Sequence, residues 1–79
     1  MRAWNRCDMT VLEAIAMLQS PATRLDALRY LDTQQNLSVD ALKMIDRAML
    51  IVRSANLGNL PLNEQLLMAK LRARYLLNR

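Results

Sequence analysis

Between Ser38 and Asn56 the apolar positions keep a helical rhythm. Leu42, Ile45, Met49 and Val52 follow one another at +3, +4 and +3, the spacing that holds side chains on one side of a 3.6-residue helix. Ala41, Ala48 and Ala55 recur every seven residues beside them, and Met44 and Ile51 widen the stripe. The resulting arc covers roughly half the circumference, where a one-sided surface helix needs only ~100°. So wide an arc needs more than one neighbour to cover it. The pattern therefore predicts that this helix, about 38–57, is central to a small bundle. Ser38 is its N-cap, Asp40 sits well against its positive end, and Gly58 is placed to take the left-handed conformation that terminates it.

The remaining elements follow from caps and breaks. Thr10-Val11-Leu12-Glu13 fits a capping box, and Val11, Ile15 and Leu18 share a face with Ala14 beside them, predicting a helix to about Gln19. Ser20-Pro21 starts the next helix, with Thr23-Arg24-Leu25-Asp26 as a second possible start; Leu25, Leu28 and Leu31 point inward before the pattern fades at Thr33–Asn36. Asn59-Leu60-Pro61 makes a turn, and a last helix runs from about Leu62 to the end. Met1 to Met9 shows no period and reads as a flexible arm with Trp4 as its anchor. The expected fold is all-α, a single-domain four-helix bundle over residues 1–79. Three similar heptapeptides, beginning at Leu12, Leu25 and Val39, recur at spacings of 13 and 14. A solenoid unit needs a period of at least ~20 residues, so these are three similar helix starts.

The last helix carries two apolar faces. Leu62, Leu66, Ala69, Ala73, Leu76 and Leu77 form one stripe, and Leu67, Met68, Leu71 and Tyr75 form another on roughly the opposite side. Lys70 and Arg74 separate them along one flank, and Gln65, Arg72 and Arg79 along the other. The expectation is that the first stripe closes the bundle against the 38–57 helix. The Leu67/Met68/Leu71/Tyr75 face, rimmed by Lys70, Arg72 and Arg74, would then meet a second chain. The alternative is that the first helix wraps over that face and completes the core.

Charge sharpens this reading. Residues 1–46 carry five basic groups against six acidic, a net −1, whereas residues 47–79 carry six basic groups against Glu64 alone, a net +5. A basic C-terminal half calls for an acidic partner. Basic residues around an apolar patch make a plausible interface rim, because Arg and Tyr are enriched in such surfaces. The function expected is a protein-interaction module, a small regulator, inhibitor or chaperone-like adaptor. Its partner would be a protein offering an acidic-rimmed apolar groove, or a second copy of the chain as a homodimer.

Enzyme chemistry has little to work with. There is no histidine, Cys7 is the single cysteine, and one glycine cannot build a phosphate cradle. Neither a cofactor nor a metal is expected. The competing expectation is a small basic nucleic-acid-binding regulator. A recognition helix over 38–57, however, would present the mixed set Asp40, Lys43, Asp46, Arg47 and Leu50. An apolar run such as Ala48–Val52 is far short of the ~20 residues of a membrane span. Glu13 interrupts the only stretch resembling a signal-peptide core, so the expected location is cytoplasmic.

The layout of short helix, helix, Leu-Ser, long helix, turn and last helix, with Leu37-Ser38-x-x-x-Leu42 and Ala48, resembles the small enterobacterial haemolysin-expression modulators that bind nucleoid proteins. That family's aromatic and histidine content is missing here. The resemblance implies an adaptor role and carries no site residue across.

Overall fold

The computed structural model describes residues 9–79 as four helices: α1 (Val11–Met17), α2 (Pro21–Thr33), α3 (Val39–Asn56) and α4 (Leu62–Asn78). They form a small all-α bundle with no strand among the described residues. Around the bundle α1 meets α2, α2 meets α4, α4 meets α3, and α3 returns to α1. The described residues span 33 × 28 × 17 Å. The short dimension fits two helix layers, given interaxial distances of ~8–10 Å and a helical Cα radius of ~2.3 Å. In a two-layer bundle every helix has a face with no protein behind it.

The boundaries arise where the chain supplies caps. At α1 the Thr10 side chain accepts the Glu13 N–H (3.1 Å) while the Glu13 carboxylate accepts the Thr10 N–H (2.9 Å), so the capping box is complete. Ser38 Oγ accepts the Ala41 N–H at 3.0 Å and opens α3. Pro21 opens α2 behind Ser20, whose side chain makes no capping bond. Thr23, the alternative start, instead donates its hydroxyl proton to the Met17 carbonyl (2.8 Å) and ties α2 back to the end of α1.

α3 buries Leu42, Ile45, Ala48, Met49 and Val52, a larger apolar share of the core than any other helix. Ala14 and Leu18 from the α1 segment, Ala27, Leu28 and Leu31 from α2, and Met68 and Leu71 from α4 pack with it. The stripe on α3 is narrower than its sequence implies, because Met44 and Ile51 are exposed. Both fall well around the helix from the buried Leu42/Ile45/Met49/Val52 stripe. Met9, expected in the flexible arm, is buried, and its carbonyl accepts the Tyr30 hydroxyl at 2.7 Å. Residues 1–8, with Trp4 and Cys7, lie outside the described residues.

Candidate protein-docking face

Which side of α4 faces inward is decided by two polar contacts with earlier helices. Arg24 and Glu64 are both buried. Arg24 Nε donates to the Leu18 carbonyl at 2.8 Å, and its Nη1 lies 3.4 Å from Glu64 Oε1. A single arginine thus satisfies an orphan carbonyl at the end of α1 and neutralises an acid on α4. At the other end of α4, the Arg74 guanidinium donates to the carbonyls of Leu31, Asp32 and Gln34, where α2 runs out of helix. Glu64, Met68, Leu71 and Tyr75 recur at +4, +3 and +4 along one side of the helix. The polar anchors therefore turn that side inward.

The sequence assignment of the two stripes is reversed. Met68 and Leu71, expected on the partner-binding face, are each 1% exposed. Leu67 and Tyr75 are half-buried, with Leu67 packed against the core. The three expected rim residues are engaged within the chain: Lys70 pairs with Asp32 (3.1 Å), Arg72 with Asp46 (2.9 Å), and Arg74 with the end of α2. The cover comes chiefly from α2 and α3, which α4 packs against.

The stripe expected to be core is on the outside. Leu62, Leu66, Ala69, Ala73, Leu76 and Leu77 are all exposed, Leu66 by 58%. On the neighbouring helix, Asp46, Leu50, Arg53 and Leu57 fall at +4, +3 and +4 along one side. The Asp46–Arg72 pair fixes that side toward α4, so exposed Leu50 and Leu57 border the outer stripe of α4. A pocket of about 270 Å³ opens between the helices, lined by Arg53, Gly58, Leu60, Gln65, Met68, Ala69 and Arg72. Nine of the ten large apolar side chains exposed among the described residues lie on α3, α4 or the turn between them.

Leu57 adds a local observation. It ends α3 at φ 46°, ψ 46°, and Gly58 follows at φ 87°. The left-handed conformation therefore begins one residue before the glycine expected to adopt it. In that region a side chain with a Cβ costs ~1–2 kcal/mol. Leu57 is nonetheless 85% exposed, so no burial offsets the strain. Its N–H still closes the helix onto the Arg53 carbonyl at 3.0 Å.

On this face Asp46 is taken up by Arg72, which leaves Arg53 as the unbalanced charge. Glu64, the only acid in residues 47–79, is buried against Arg24. Arg53, at the pocket, has no carboxylate within ion-pairing distance among the described residues. Among those residues no group of three or more carboxylate, thiol or imidazole side chains gathers. No described helix is long and apolar enough to cross a membrane. From sequence Leu50 appeared only in the mixed face of a recognition helix, and Leu57 and Arg53 were not singled out; the Asp46–Leu50–Arg53–Leu57 spacing was a signal, but it needs the Asp46–Arg72 contact to give it a direction. Compared with protein-family models, curated proteins and solved structures, the chain has no match.

Proposed function

We propose that this chain is a non-enzymatic protein-interaction module, a small regulator or adaptor, and that it docks its partner on the outer face of the α3–α4 hairpin. One observation supports the reading: α3, α4 and the turn between them expose Leu50, Leu57, Leu62, Leu66, Leu76 and Leu77, and a pocket lined by residues of the same elements opens between the two helices. Contiguous exposed apolar surface rimmed by polar groups marks interaction sites in soluble chains. A chain of this size also buries only about 60–65% of its unfolded surface, so a bound partner would add to its stability. The nucleic-acid reading has less support, because Lys70, Arg72 and Arg74 are occupied internally and the centre of the face is leucine.

The experiment is site-specific photocrosslinking in extract of the source cells, with a benzophenone side chain at position 66 and a control at exposed Arg29 on α2. Adducts of one or two discrete masses at 66, absent at 29, support the proposal. Equal smears at both positions, or no adduct at 66, refute it.

A further inference from the structure

Resting on that reading, we infer that the occupant of the face is an amphipathic helix whose apolar stripe is flanked by acidic residues. From Leu62 to Leu76 the outer stripe of α4 follows +4, +3, +4, +3. At 1.5 Å per residue it is ~21 Å long, about four turns. The groove between two antiparallel helices suits a third helix that inserts anchors at i, i+4, i+7 and i+11. Leu60, Met68 and Ala69 are the pocket's apolar lining, with Arg53, Gln65 and Arg72 its polar lining. That recess takes one apolar anchor side chain, with a carboxylate a turn away meeting Arg53.

Charge separates this occupant from the others. A second copy related by a two-fold axis would lay the face against itself. Both copies of Arg53 would then enter one interface, and the acid on that side of α3, Asp46, is already held by Arg72. An anionic lipid surface would match the charge but has no use for a recess between helices, and neither Tyr30 nor Tyr75 belongs to the outer stripe. Acidic residues beside leucines satisfy both components of the face together.

The test is a heteronuclear NMR titration of the whole chain with two synthetic peptides of about four helical turns. Both place leucines at i, i+4, i+7 and i+11; one carries flanking glutamates and the other flanking lysines. The glutamate peptide should move the amide resonances of Gly58, Leu60, Gln65 and Ala69 and bind at least ~10-fold more tightly at low salt. Arg53→Glu should invert the preference. Ala69→Arg, at an exposed helix position, should block both peptides while leaving the fold intact.

Equal binding of the two peptides at this face would overturn the acidic partner and leave the docking face standing. Shifts elsewhere, or none with either peptide, would overturn both. Concentration-dependent shifts of the same resonances without peptide would assign the face to a second copy. The same shifts from phosphatidylserine vesicles or duplex DNA, with the peptides inert, would replace the protein partner altogether.

Discussion

Leu71 and Leu66 sit five residues apart on one helix, and the fold makes opposite demands on them. Leu71 is 1% exposed, so Leu71→Asp forfeits the burial of a leucine, ~1.5–3 kcal/mol. It also leaves a cavity of the kind that brings Leu→Ala substitutions to ~2.7–5 kcal/mol. Burying a carboxylate there adds several kcal/mol more. The total exceeds ~5 kcal/mol, against a stability of roughly 4–12 kcal/mol for a chain this size at ~0.05–0.15 kcal/mol per residue. Leu71→Asp should therefore lose its cooperative melt, and Leu71→Ala should fold with a melting temperature lower by more than ~10 °C.

Leu66 is 58% exposed and occupies a helix position where lysine is nearly as favourable as leucine. Leu66→Lys should alter stability by no more than ~0.5 kcal/mol, a few degrees in melting temperature. It should also weaken partner binding, because it plants a charge in the middle of the outer stripe. Far-ultraviolet circular dichroism during thermal and urea unfolding reads both variants. A Leu71→Asp chain that melts like the parent, or a Leu66→Lys chain that unfolds, would mean that α4 is turned the other way. The docking face would then fall with it.

Arg24→Met and Glu64→Leu should each destabilise by ~3 kcal/mol or more in urea titrations, the arginine change being the larger because it also frees the Leu18 carbonyl. The double variant should cost less than the sum of the two, keeping only the ~1–3 kcal/mol of the freed Leu18 carbonyl; additive losses would show that the pair is not coupled. Leu57→Asn should stabilise by ~0.5–1 kcal/mol, since asparagine tolerates the left-handed region and Leu57 has no burial to lose, and a lower melting temperature would contradict the strain. Arg74→Ala should cost ~1–3 kcal/mol through the freed carbonyls of α2, whereas Arg72→Ala, removing a half-exposed ion pair, should cost under ~1 kcal/mol; the reverse order in denaturant midpoints would reject the capping role.

The bundle was legible because its signals are local. A capping box needs Thr10 and Glu13 three residues apart, an N-cap needs Ser38 within reach of Ala41, and the inward stripe of α3 needs only its own period. Each is written within one or two turns of helix, and each formed where the residues stood. The departures on α3 and at its end were set by distance and by shape. Met44 and Ile51 match the apolar pattern but stay exposed beside the buried stripe, which depends on where the neighbouring helices pack. The left-handed turn began at Leu57 because two successive positive-φ residues end α3, where the lone glycine pointed to one.

The orientation of α4 was not legible, because its two stripes are nearly equal in apolar content and periodicity cannot rank them. The first stripe has four leucines and two alanines; the second has leucines, a methionine and a tyrosine, and on hydrophobicity alone either could face inward. The deciding groups are polar and lie 40 or more residues away: Arg24 for Glu64, and the carbonyls ending α2 for Arg74. Leaving Arg24 and Glu64 buried without each other would cost more than choosing between two leucine stripes gains. The same geometry explains why the basic residues of α4 misled. Read as a rim, Lys70, Arg72 and Arg74 seemed to await a partner, yet Asp32, Asp46 and the α2 terminus already hold them. What the bundle leaves uncovered is the leucine stripe those contacts turned outward, together with Arg53 beside the pocket. Leu57, strained in the left-handed region and exposed at the edge of that stripe, contributes nothing to the bundle's own stability that would account for a leucine there.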